Sequence, residues 1–258
     1  MCIIAICQDR KLTEKELKNC FENNPDGAGF SFVTDDNEVH IEKGFMTIKE
    51  LIDAYEELCI LPHVVHFRIA TSGDVSPELT HPYRVEIDSK LDIFGKMDCP
   101  VLFHNGVISD YRTLLLNMVT SGQIKMPAGV MNDTRVAAIM TAVYGEDVLE
   151  VLSGKFVIVK PEGITMFGVF EKENGVFFSN NGYKKSVYHC ARGVGTKNCA
   201  TMSNSVMTDS EWADYLDNIS EEDSCFPAPN IPSYNMKNKN NKNNKTSYVT
   251  KNENRVCG

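Results

Sequence analysis

Apolar residues in this chain come in short β-branched and aromatic runs, each cut off by turn residues, with stretches of helical spacing set among them. Residues 2–7 form one such run and read as a buried strand. Further strands are predicted at 30–33, 39–42, 64–69 and 101–103, then at 156–159, 164–170 and 176–179. Asp35-Asp36-Asn37, Pro161-Glu162-Gly163 and Asn174-Gly175 supply the turns. Thr13 with Glu16, and Thr47 with Glu50, are capping boxes that open helices over 14–22 and 47–58. Two more helices are predicted at 109–121 and 133–144, each closed by a glycine, Gly122 and Gly145. Strands, two helices in the middle, then strands again make a layered α+β pattern rather than alternating βαβ units. No run is long enough to span a bilayer, and no internal repeat stands out.

The chain has 258 residues and a net charge of −9. That length fits one large domain, or one domain with an appendage. The charge is uneven. From Met236 onward six basic residues face one acid, a net +5, which leaves −14 for the rest. An acidic body disfavours non-specific nucleic-acid binding, so only the basic tail is a candidate for it, against a plain reading as a solvated end. Periodicity fades after about residue 196. One more helix is predicted at 211–219, then Pro227, Pro229 and Pro232 and an Asn/Lys-rich stretch read as linker and disordered tail. The nine cysteines contain no Cys-x-x-Cys pair, and no basic segment precedes residues 2–7 as a signal peptide would require. The expectation is a cytoplasmic protein with free thiols, most of them small core hydrophobes.

Cys2 is the exception, because it directly follows Met1. Removal of Met1 would place a thiol and an α-amine on one residue. With a reference pKa of ~7.7–8.0, that amine is a usable base near neutral pH. The alternative is a buried thiol on an edge strand. Three other segments carry suggestive chemistry. Arg68 sits in a strand just before a Gly-containing loop, and its fork suits a carboxylate. Asn105-Gly106 ends a strand with a side-chain amide and a backbone N–H, the donor types of an oxyanion hole. Asp133 opens a helix, where it can cap the helix or hold an ammonium group. Cys59, His63, His66, His81 and His104 raise the question of a metal. His63 and His66, three apart on a strand, point to opposite faces, so no metal site is predicted.

These segments, in order, resemble the class II glutamine amidotransferase domain of the N-terminal nucleophile hydrolases. The resemblance rests on Cys2-Ile3-Ile4, Asp26-Gly27-Ala28-Gly29, His66-x-Arg68-x-Ala70-Thr71-x-Gly73, His81-Pro82, His104-Asn105-Gly106 and Asp133-Thr134. The segment around Phe156 and the pair Ser179-Asn180 also look like family elements. The resemblance implies a four-layer αββα sandwich over residues 2–195, with 196–258 as an extension. It implies hydrolysis of the glutamine side-chain amide to glutamate and ammonia, without a cofactor. Cys2 would be the nucleophile, Asn105 and Gly106 the oxyanion donors, Arg68 the partner of the α-carboxylate and Asp133 that of the α-ammonium. Thr71 would lie in the loop closing over glutamine. Ile69, Ser72 and Asn23-Asn24-Pro25 depart from the family pattern, at the lid and site walls. The extension is too polar to bury a synthase core. The expectation is therefore a stand-alone domain that passes ammonia to a separate acceptor protein, with a tail composition that fits an AT-rich genome such as a phage. Two alternatives stay open: an amidohydrolase for another γ-glutamyl compound, and a non-catalytic relative used as a binding module.

Overall fold

The computed structural model describes residues 1–70 and 74–184, and the backbone of 246–248. The predicted helix at 211–219 and the predicted linker lie outside the described residues, as does Thr71. All described residues belong to one compact unit, and none of the second unit, 187–240, is described.

The strands are β1 (Ile3–Cys7), β2 (Ala28–Val33), β3 (Val39–Phe45), β4 (His63–Phe67), β5 (Tyr83–Arg84), β6 (Phe94–Met97), β7 (Val101–Asn105), β8 (Lys155–Lys160), β9 (Gly163–Phe167), β10 (Glu171–Glu173), β11 (Val176–Phe178) and β12 (Thr246–Tyr248). The helices are α1 (Glu14–Asn23), α2 (Ile48–Glu57), α3 (Tyr111–Thr120) and α4 (Asp133–Tyr144). Seven strands form one sheet in the order β10-β11-β1-β4-β2-β3-β6, and five form a second in the order β12-β9-β8-β7-β5. Every pairing is antiparallel. The mixed α and β content with antiparallel sheets is the predicted α+β class.

Both predicted capping boxes form. Thr13 accepts from the Glu16 amide and Thr47 from the Glu50 amide, while each glutamate reaches back to its cap. Each cap contributes on the order of 1 kcal/mol. Gly145 closes α4 at φ +86°, a left-handed conformation that glycine adopts without a Cβ penalty.

Alternation along the strands sorts the apolar residues into three clusters. Ile3, Ala5 and Cys7 of β1 pack with Leu17 and Phe21 of α1 and Leu51 and Tyr55 of α2. Ile4 and Ile6 of β1 turn the other way, to Val101 and Phe103 of β7 and Val157 and Val159 of β8. Leu102 of β7 and Ile158 of β8 pack with Leu115 of α3 and Val136 and Ile139 of α4. The middle cluster thus joins the two sheets, and each sheet carries its own pair of helices.

Four strands went unpredicted. β5 has two residues. β6 is exposed apart from Met97 and contains Gly95. β10 is Glu-Lys-Glu, an edge strand that carries charge where apolar alternation was sought. β12 pairs with β9 and falls within the stretch read as tail. Cys59 is disulfide-bonded, against the expectation of free thiols throughout. No helix among the described residues is long and apolar enough to cross a membrane.

Candidate active site

The site forms where β1, β4 and β7 meet α4. Alternation explains which side chains arrive there. Cys2 precedes Ile4 and Ile6 on the face of β1 turned to the other sheet. Asn105 follows Val101 and Phe103 on the matching face of β7. In β4, Val64 is on that face, so His66 and Arg68 continue it. Ile3 pairs with Phe67, so one further step of the antiparallel register sets Cys2 opposite Arg68.

Cys2, Arg68, Gly106 and Asp133 line one small pocket, together with His81, His104 and Thr134. The Cys2 thiol donates to the Ile69 carbonyl at 3.5 Å and accepts from the Ile69 amide at 3.4 Å. Burial pushes the Cys2 thiol above its ordinary range, against the Ile69 bond, the chain's amino terminus and Arg68, which favour the thiolate; Asp133 adds to the rise. Cys2 therefore sits in the field of both Arg68 and Asp133. Met1, before it, is 78% exposed.

Arg68 is buried, and its guanidinium donates to the Asp74 carbonyl at 2.9 Å. Its backbone is held on both sides, by the Gly27 carbonyl at 2.8 Å and the Asp26 amide at 3.0 Å. The Asp26 carboxylate accepts from the Ala70 amide at 2.8 Å and pins the start of the following loop.

The helix cap on α4 is Asn132, whose side chain accepts from the Arg135 amide at 2.8 Å. Asp133 is therefore not the cap. It accepts from the amides of Thr134 at 2.8 Å and Ile108 at 3.1 Å, which ties the helix start to the turn after Gly106. A Cβ on Gly106 would lie 2.7 Å from the Gly154 Cα and 2.7 Å from His104 Nε2. Gly106 fits against the pocket only because it has no side chain.

Asn105 lies beside the pocket, buried, with its amide Nδ2 donating to Ser179 Oγ at 2.8 Å. Its Oδ1 is buried without a partner.

Two histidines, His81 and His104, line the pocket, and His66 stacks on His81. His81 Nε2–H donates to Thr134 Oγ1 at 3.0 Å, and that hydroxyl donates to His104 Nδ1 at 3.1 Å. His104 Nε2–H donates to the Ser153 carbonyl, and His66 Nε2–H to the His104 carbonyl. The His66 and His81 rings stack at 3.8 Å. Burial pushes His66 down to about 3 and His81 well below the usual imidazole range; burial also lowers His104, although Asp133 opposes it. His63 does point the other way, to Tyr55 on α2. Among the described residues the one metal-like group is Glu86, Asp98 and Cys99. Arg84 already donates to both of those carboxylates and to Asp92, so a cation is in place.

Lys43 is the residue with no sequence signal. It is buried on β3, and its ammonium donates to the carbonyls of Glu78, Thr80 and Pro82 at 2.9–3.0 Å. It therefore holds the loop that carries His81. The alternation of β3 puts it on the buried face with Val39 and Ile41, but a lysine there gives no local sign of what it holds, because lysine on a strand usually faces water.

The fold matches solved structures. The fold resembles that of the class II glutamine amidotransferases. One similar structure is the glutamine phosphoribosylpyrophosphate amidotransferase of B. subtilis, complexed with ADP and GMP. It matches at TM-score 0.50 and 18% identity over 69% of this chain and 41% of its own. A second, described as the allosteric regulatory enzyme of purine biosynthesis, matches with the same values. The match thus spans less than half of either neighbour. No protein-family model and no curated protein matches the sequence.

Proposed function

We propose that the chain hydrolyses the side-chain amide of glutamine to glutamate and ammonia, with Cys2 as nucleophile after loss of Met1. The observation that carries this reading is the pocket itself. Cys2, the buried Arg68 and Asp133, and Gly106 line one small cavity. Glutamine is a zwitterion with a reactive amide at its far end. Arg68 would pair with its α-carboxylate and Asp133 with its α-ammonium, leaving the amide carbonyl at Cys2. A peptide amide would offer neither group a charge of opposite sign.

In this mechanism the freed α-amine of Cys2 takes the thiol proton, directly or through a water. The sulfur attacks the amide carbon. Gly106 N–H and the Asn105 side chain hold the oxyanion. The amine returns the proton to the departing ammonia, and water then releases glutamate from the thioester. Thr71 would close over the substrate. The αββα layering of the family over residues 2–195, an extension over 196–258, and transfer of ammonia to an acceptor on a separate protein complete the proposal.

The test combines intact-mass analysis with glutamate release from glutamine. Removal of Met1, turnover by the native chain and its loss in Cys2→Ala are expected. Retained Met1, or unchanged turnover in Cys2→Ala, would refute the mechanism.

A further inference from the structure

Ser179 follows β11 and is 1% exposed. Four bonds converge on it. Its backbone N–H donates to the Ile4 carbonyl at 2.9 Å, and its Oγ accepts from the Ile4 amide at 2.9 Å. Its carbonyl accepts from the Lys155 ammonium. Its Oγ also meets the Asn105 amide group at 2.8 Å. Ile4 belongs to the nucleophile strand, in the seven-stranded sheet. Asn105 and Lys155 are register partners in the five-stranded sheet. The next residue, Asn180, donates its Nδ2 to the Cys2 carbonyl at 2.7 Å.

We propose that Ser179 is a positioning residue that sets Asn105 against Cys2 and aims the Asn105 amide for the oxyanion. This deepens the glutaminase reading and rests on it. Hydrogen-bond bookkeeping gives the direction of the amide. With Nδ2 toward Ser179, the serine oxygen accepts from both Ile4 and Asn105, and Asn105 Oδ1 stays buried and unpaired. A buried unpaired acceptor costs about 1–3 kcal/mol. Half a turn of the amide exchanges its oxygen and nitrogen. The Ser179 O–H then donates to Asn105 Oδ1 while its oxygen still accepts from Ile4. The orphan acceptor is gone, and both N–H groups of Asn105 are released. A developing oxyanion needs such a donor. The Ile4 amide favours this choice, because it takes one of the two acceptor sites of the serine while the serine O–H needs an acceptor of its own.

The test is a double-mutant cycle on the full chain, read as kcat and KM for glutamate release. Ser179→Ala is expected to lower kcat about tenfold or more with KM within about twofold. Placed in the Asn105→Ala background, it should cost no more than about twofold further, because its effect passes through Asn105. Additive losses, or a kcat unchanged in Ser179→Ala, would overturn the positioning role while leaving the glutaminase reading intact. A native chain that releases no glutamate overturns that reading and this inference together. Should Ser179→Ala fail to fold, Ser179→Thr and Ser179→Val carry the comparison. They share a shape and differ by the hydroxyl, so only the threonine variant should keep kcat; equal rates would overturn the proposal.

Discussion

Arg68 and Asn105 differ in what they are placed to do, and the difference is measurable. Arg68 is a fixed, buried fork, held through its backbone by Gly27 and Asp26. Arg68→Lys keeps the charge but loses the planar pair of donors. The expected result in a glutaminase assay is a KM raised about tenfold with kcat little changed, the pattern of lost uniform binding. In the proposed mechanism Asn105 bonds an oxygen that carries charge only in the transition state. Asn105→Ala should lower kcat by roughly 10²–10³, the usual loss for one oxyanion donor. If Asn105→Ala changed KM alone, the side chain would be positioning substrate instead. Gly106→Ala tests a third kind of residue. Its new methyl would collide with the Gly154 backbone and the His104 ring, so both stability and turnover should fall.

At the scale of elements, the loop between β4 and β5 is fixed from below by β2 and β3. Lys43 fills three carbonyls of that loop and lies 4.6 Å from the Tyr83 ring centre. Burial lowers its ammonium to about 7, yet three carbonyls, one for each N–H, favour the charged form. Lys43→Met removes the donors and leaves those acceptors without their partner. A loss of about 3 kcal/mol in chemical denaturation is expected; a change below about 0.5 kcal/mol would show that the loop holds without it. Gly29 on β2 runs so close to this loop that a Cβ would sit 2.2 Å from the His81 carbonyl oxygen. These supports were not legible in the sequence, because a buried lysine and a close-approach glycine are set by tertiary contacts. The helices were legible to within a residue or two, since capping boxes and closing glycines are local signals. Strands with an apolar face were legible for the same reason, whereas β6 and β10 carry polar or charged residues at an edge. Among candidate site residues, Cys2, Arg68, Gly106 and Asp133 sit in motifs short enough to read. The roles of Ser179 and Thr134 were not readable, because each is defined by partners from other strands.

At the scale of the whole molecule, buried histidines make the fold sensitive to mild acid. His63 is pushed down to about 4 and His66 to about 3, both by burial, and His81 well below its ordinary range. In the unfolded chain each returns to about 6.5. A depressed folded pKa means that the unfolded chain binds more protons between those limits. Its contribution to stability is full above about pH 6.5 and is lost as pH falls toward the folded value. Each histidine adds a slope of up to about 1.4 kcal/mol per pH unit in that window. The carboxylates act lower. Glu16, for example, is held below its usual value by Arg10 and Thr13 despite burial, so its contribution is lost only as pH falls below about 4.5. The range from pH 7 to 5 therefore reports mainly on the histidines, with Lys43, lowered to about 7 by burial, adding to the decline only at its upper end. Denaturation midpoints should fall steadily across it, with an unchanged slope against denaturant. Replacing His63 with a residue that does not titrate should remove one histidine's share of the decline, even if it lowers stability at every pH, because Tyr55 loses its 2.7 Å partner. A midpoint that stays flat from pH 7 to 5 would mean that the folded and unfolded rings titrate alike, so that burial does not lower them; a midpoint that rises would mean that they stay protonated in the folded chain. A proton on His104 Nδ1 would turn the Thr134 hydroxyl away from that nitrogen and toward Asp133 Oδ1, 3.5 Å away, so protonation reverses the last bond of the His81–Thr134–His104 chain.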